Sequence, residues 1–173
     1  MKTSFKTVSF ASLAIIALVS GIYAATHIFL PPTHDHWQKK FPANMQIQSL
    51  AEFDSQFLVI DFWASWCVPC ADSLPHYKSL FAPFTAEKLQ WVAVNQDLDK
   101  KNADAFLKRN QLQDIPVFYD SNASLQQAFK VRGLPTLIVF DQNRKEITRV
   151  SGYDKSKQQA VEALIMAALA EQP

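Results

Sequence analysis

The run Phe57-Leu58-Val59-Ile60-Asp61-Phe62-Trp63 is apolar at every position but one, and leads directly into Ala64-Ser65-Trp66-Cys67-Val68-Pro69-Cys70. Successive side chains of a strand point to opposite faces, so a strand apolar on both faces must be covered on both. That points to a central sheet between two layers of helix. Cys67 and Cys70 are the only two cysteines of the chain. A disulfide closing so short a loop removes little chain entropy, so bracing the fold does not explain the pair. The thiols are there for chemistry.

The rest of the pattern is built around this strand. Asn44 to Gln48 alternates weakly as a strand, and Ser49-Leu50-Ala51-Glu52 has the capping-box form that opens a short helix. A helix should begin at the cysteines and run to about Phe81, kinked by Pro75. Leu89–Val94 reads as a second buried strand, Lys100–Arg109 as a helix, Ile115–Tyr119 as a short strand and Ser124–Val131 as a helix. Thr136–Phe140 and Glu146–Val150 flank a turn at Asp141-Gln142-Asn143. A last helix, about Lys155 to Ala170, should bury Val161, Leu164, Ile165, Ala168 and Leu169 at helical spacing. Alternating βαβ units followed by a hairpin and a helix predict a mixed sheet with helices on both faces. With only three glycines, a Gly-rich phosphate loop is excluded.

Ahead of this domain the 24 residues 7–30 carry no formal charge. At about 1.5 Å per residue, a helix of that length spans the roughly 30 Å hydrocarbon core of a bilayer. A removable signal peptide needs small residues at −3 and −1 of its cleavage site, and around Tyr23-Ala24-Ala25 the −3 position would be Ile22 or Tyr23. The expectation is therefore an uncleaved anchor. Lys2, Lys6 and the terminal amine favour a cytoplasmic N-terminus, against a weaker opposing signal from Lys39 and Lys40. The expected organisation is residues 1–6 in the cytoplasm, 7–30 across the bacterial inner membrane, 31–43 as a Pro-rich tether and 44–173 as the globular domain, facing the periplasm. An oxidising compartment is where a thiol pair meets disulfide substrates. Charge is nearly balanced, 17 basic against 16 acidic residues, so no attraction to nucleic acid is implied.

A Cys-x-x-Cys at the start of a helix has a mechanical reason. The helix N-terminus supplies unpaired N–H groups and positive potential that favour a thiolate at the first cysteine. Cys67 is then the exposed nucleophile, and Cys70, one turn in and more buried, attacks the mixed disulfide to release product. Paired cysteines are also half a zinc site, but the complement would have to come from His34, His36 or His76, at spacings unlike a closed structural site. Asp61 lies on a strand apolar on both faces, so its carboxyl should be buried, with a raised pKa, and able to move protons.

DFWASWCVPC, with Pro75 five residues after the second cysteine and Gly133-Leu134-Pro135-Thr136 downstream, resembles the thioredoxin superfamily. Over about residues 44 to 170 the chain looks most like the membrane-anchored TlpA-like branch, which includes the cytochrome-c-maturation thioredoxins. The helix near 100–109 and strand near 115–119 match the insert of that branch. The resemblance implies that Pro135 is a cis-proline facing the disulfide, with the backbone of Leu134 offered to an extended substrate. Trp66, Val68 and Pro69 would form the docking rim, and Asp61 would deprotonate Cys70. No cofactor is implied beyond the redox-active disulfide. Two departures stand out: the lysine that accompanies the buried acid of thioredoxin falls near Ala93, and a glutamate common in TlpA-like proteins falls at Ser73, beside Asp72. The function expected is a membrane-tethered oxidoreductase that reduces disulfides in exported proteins, apocytochrome c among them, and is reset by a membrane thiol-transporter donor. An oxidase or isomerase on the same scaffold, or a thiol metal-binding protein, are the alternatives.

Overall fold

The computed structural model describes residues 49–170. The expected N-terminus (1–6), anchor (7–30), tether (31–43) and weak strand (44–48) lie outside the described residues. No helix among the described residues is long and apolar enough to cross a membrane.

The apolar run forms strand β1, Phe57–Trp63, buried along its whole length. It lies at the centre of a five-stranded sheet of order β3-β2-β1-β4-β5. On one side β2 (Leu89–Asn95) pairs parallel with β1, and β3 (Val117–Tyr119) parallel with β2; on the other β4 (Thr136–Phe140) pairs antiparallel with β1 and β5 (Glu146–Ser151) antiparallel with β4, so that β4 alone runs against the rest. Four helices cover it: α1 (Cys70–Phe81), α2 (Lys100–Arg109), α3 (Ser124–Ala128) and α4 (Gln158–Ala170). The mixed sheet between helical layers is as the sequence predicts.

Alternation along β1 divides the interior into two cores. Phe57, Val59 and Trp63 meet Leu74, Tyr77 and Phe81 of α1, Ala103, Phe106 and Leu107 of α2, and Ile165 and Leu169 of α4. Leu58, Ile60 and Phe62 meet Leu125, Phe129 and Val131, with Leu50 and Phe53 from the start of the domain. Burial at this density is the main driving force for the fold, at roughly 25 cal/mol per Å² of apolar surface.

Several expectations are corrected. Ser49 makes no side-chain cap, and Leu50–Glu52 is one 3-10 turn, closed by Glu52 N–H donating to the Ser49 carbonyl at 3.3 Å. Three residues are too few for an α-helical ladder. Strand β3 begins at Val117 rather than Ile115, because the Ile115 N–H is turned back onto the Leu112 carbonyl. Helix α3 ends at Ala128 rather than Val131. The N–H of Val131 donates to the Gln126 carbonyl and that of Lys130 to the Gln127 carbonyl, a Schellman ending with Lys130 at φ 53°. The last helix opens with a 3-10 turn, Lys155–Lys157, and Leu164 points to solvent while Ile165 and Leu169 are buried.

Candidate active site

The strand registers bring five chain segments to one end of the sheet. Trp63 is level with Asn95, Asn95 with Tyr119, Phe62 with Thr136, and Thr136 with Ser151. The segments that follow β1, β2 and β3, precede β4 and follow β5 therefore share the carboxyl end of the parallel strands, the usual place for sites in open α/β sheets.

The cysteines occupy the first of these segments. The Cys67 N–H donates to the Ala64 carbonyl at 3.1 Å, and Cys67 and Cys70 are joined by a disulfide. Helix α1 starts at Cys70 with Pro69 as its N-cap, so Cys67 stands ahead of the helix instead of inside it. The N–H groups of Cys70, Ala71 and Asp72 are not left open as expected; they donate to the carbonyls of Cys67, Val68 and Pro69. The dipole of α1 still points its positive end at the Cys67 side of the loop. Cys67 is not the exposed residue foreseen: it is 5% exposed against 0% for Cys70, its sulfur turned inward to bond its partner. The order of the two is as expected, and the rim is open, with Trp66 at 67% and Val68 at 84% exposure and Pro69 half-buried. Trp63 is core, as a strand residue should be.

A second, unforeseen network holds this loop. The buried Asp97 carboxylate accepts from the Ser65 N–H (2.9 Å), the Ser65 hydroxyl (2.7 Å) and the Asn95 side-chain amide (2.7 Å). The Asp97 N–H donates back to the Asn95 side-chain oxygen at 3.0 Å, and the Gln96 N–H to the Trp63 carbonyl at 2.8 Å. The signal was present in the sequence: polar Asn95 and Asp97 at the end of a buried strand, on the end that carries the thiols.

In the segment that precedes β4, at the same end of the sheet, the Leu134–Pro135 peptide bond is cis. Pro135 is buried, its carbonyl accepting from the Gly152 N–H at 2.8 Å, and the Thr136 hydroxyl closes the loop onto the Gly133 carbonyl at 2.8 Å. Leu134 is half-buried and packs against both cores.

Asp61 is fully buried on the β1 face that carries Val59 and Trp63, the face whose core, under α1, also holds both cysteines. Neither carboxyl oxygen has a hydrogen-bond partner among the described residues. Burial pushes its pKa well above the ordinary carboxylate range. The residue level with Asp61 on β2 is Ala93, whose methyl side chain brings no cation to that position. Tyr77 packs in the same core; burial, and then the charge of Asp61, raise its pKa. Ser73, one turn beyond Cys70, is buried with its hydroxyl unpaired, and Asp72 pairs with Lys155 at 2.7 Å. Among the described residues no group of three or more His, Cys, Asp or Glu side chains is placed to hold a metal ion. His76 Nδ1 lies 2.9 Å from the Gln158 amide, and His34 and His36 fall outside the described residues.

A protein-family model described as Redoxin matches residues 37–165. The chain belongs to the Redoxin family. Its structure is similar to that of a Chlorobium tepidum protein described as a thiol:disulfide interchange protein DsbE, at 33% identity and TM-score 0.63, over 70% of this chain and 85% of that one. StoA from Bacillus subtilis shares the fold at 21% identity and TM-score 0.56, over 66% of this chain and 86% of that one. In sequence this Redoxin chain is 28% identical over 94 residues to the thiol-disulfide oxidoreductase ResA of Oceanobacillus iheyensis, covering 54% of this chain and 48% of the relative. With ResA of Bacillus thuringiensis it shares 26% over 115 residues, 66% of this chain and 65% of the relative. The chain thus spans about half to two thirds of the length of these curated relatives. Their names describe thiol–disulfide oxidoreductases, and this Redoxin chain carries a Cys-x-x-Cys pair, in agreement with the TlpA-like resemblance.

Proposed function

We propose that this protein is a membrane-tethered thiol–disulfide oxidoreductase that reduces disulfides in exported proteins at the outer face of a bacterial inner membrane. The observation that carries the exchange chemistry is the Cys67–Cys70 disulfide at the carboxyl end of the sheet, the end that also holds the cis-proline loop, with Asp61 buried and without a hydrogen-bond partner among the described residues on the face of β1 that packs against α1. The tether and the compartment rest on the uncharged N-terminal run, and the direction on the TlpA-like resemblance.

In the reducing direction the dithiol form acts first. The Cys67 thiolate attacks one sulfur of a substrate disulfide; a mixed disulfide forms and one substrate thiolate leaves. Asp61, as carboxylate, takes the proton from the Cys70 thiol. The Cys70 thiolate then attacks Cys67 Sγ, closing Cys67–Cys70 and releasing the second substrate thiolate. Two electrons pass to the substrate, and the two thiolates take up two protons. Pro135, Leu134, Trp66, Val68 and Pro69 hold the incoming chain in line with Cys67. A membrane thiol transporter would return the two electrons and reopen the pair. Apocytochrome c, whose haem-attachment thiols must be free, is one substrate of the right chemistry.

Substitution Cys70→Ser removes the resolving thiol, so substrates should accumulate as mixed disulfides on Cys67 and be visible on non-reducing gels. Equilibration with thiol buffers then gives the direction. A reduction potential near that of thioredoxin, about −270 mV, is the expected result. A value towards about −120 mV would mean that the protein delivers disulfides instead.

A further inference from the structure

Among the described residues five large apolar side chains are exposed: Trp66, Val68, Leu98, Leu164 and Met166. The last two lie on α4, but the first three share the reacting end of the sheet. Leu98 is the most exposed of all, at 90%. It follows Asp97, whose carboxylate grips both the N–H and the hydroxyl of Ser65, the residue before Trp66. Leu98 and Trp66 are thus each one peptide unit, about 3.8 Å between Cα atoms, beyond a double hydrogen bond. The Gln96 N–H bond to the Trp63 carbonyl ties the same two segments once more.

We propose that Leu98 extends the rim of the disulfide into an apolar platform, with Trp66 and Val68, that receives an aliphatic or aromatic side chain of the polypeptide whose cysteine reacts with Cys67. The inference rests on the reading of Cys67–Cys70 as a protein-disulfide exchanger that acts as a reductant. Isolated exposed apolar residues are ordinary, but three brought together beside a reactive group mark a binding face. Trp66 and Val68, the two chain neighbours of Cys67, are both exposed, so a substrate chain joined to the Cys67 sulfur lies against this rim. A partner that lays an apolar side chain on this rim removes from water surface that folding has left exposed. The Asp97 network keeps the platform in place before the partner arrives, so little ordering cost is left for binding. A small hydrophilic disulfide has nothing to place there.

The test uses the reduced full-length chain and three oxidants. Two are short peptides closed by an internal disulfide, identical except for Leu or Ser at the second position before the reactive cysteine. The third is oxidised glutathione. The substitution Leu98→Ser is expected to lower kcat/KM for the Leu peptide about tenfold. Rates with the Ser peptide and with oxidised glutathione should stay within about twofold, and Leu98→Met should restore the Leu peptide. An unchanged rate with the Leu peptide, or an equal fall with all three oxidants, would overturn the platform while leaving the exchange reading intact. A wild-type chain that reduces none of the three would overturn both.

Discussion

Asp61 puts a carboxyl with no hydrogen-bond partner among the described residues inside a packed core, and its effects on activity and stability oppose one another. A carboxyl whose pKa is raised on folding favours the folded state fully only below its unfolded value, near 3.9, and loses that contribution as pH rises towards its folded value. Replacing it by the uncharged Asp61→Asn should therefore leave stability unchanged below about pH 4 and raise it progressively above. At neutral pH the expected gain is roughly 2–6 °C in Tm, measured by thermal denaturation across pH. The same substitution should slow release of the mixed disulfide roughly 10²-fold, with capture by Cys67 little affected, as stopped-flow exchange would read. Asp61 and the two cysteines were legible in the sequence because each breaks a local pattern, an acid in an apolar strand and the only thiols, whereas Pro135 came from the family resemblance, since Gly133-Leu134-Pro135-Thr136 alone reads as a turn entering a strand. Asp97 was not singled out. A polar residue at the end of a buried strand is too ordinary a signal to single it out, and its role exists only once Ser65 is folded against it.

At the level of elements, the loop that bears Cys67 is held by a neighbouring loop. Asp97→Ala would leave the Ser65 N–H and hydroxyl and the Asn95 amide without their acceptor. The expected cost is about 2–4 kcal/mol, from urea denaturation of the oxidised protein. Helix ends form a different case. Strand β1, helix α2 and strand β4 were legible to the residue, because their apolar periodicity stops where the element stops. The end of α3 was not, because the left-handed residue that closes its Schellman turn is Lys130, where glycine or asparagine is the usual sign. A lysine at φ 53° bears a steric cost that glycine avoids, partly offset by the greater freedom of glycine in the unfolded chain. Lys130→Gly should accordingly stabilise the protein by up to about 1 kcal/mol in the same denaturation experiment. Leu164 was misplaced for another reason: an alanine-rich helix offers more apolar positions than its partner layer can cover.

Across the whole molecule, the last helix is fastened over α1 by polar contacts as well as by Ile165 and Leu169. His76 Nδ1 meets the Gln158 amide at 2.9 Å, and its Nε2 lies 3.4 Å from Glu162. Burial lowers the His76 pKa, and Glu162 opposes this in part. A base whose pKa is lowered on folding contributes stability that is complete above its unfolded value, near 6.5, and falls as pH drops towards its folded value. Tm should therefore decline on acidification below about pH 6.5, and His76→Gln should flatten that limb. Asp61 acts in the opposite sense, so comparing the pH–stability curves of the two variants with the parent separates their contributions. The two-core plan also confines the chemistry, since Cys67, Cys70 and Tyr77 belong to the core on one side of the sheet and the other core contains neither cysteine. The isolation of Asp61 has one more consequence. A protonated carboxyl without hydrogen-bond partners has a carbonyl vibration displaced from those of the backbone amides and of carboxylate ions. If Asp61 exchanges a proton with the Cys70 sulfur as proposed, its infrared band would report each passage, without any attached label, as the disulfide opens and closes.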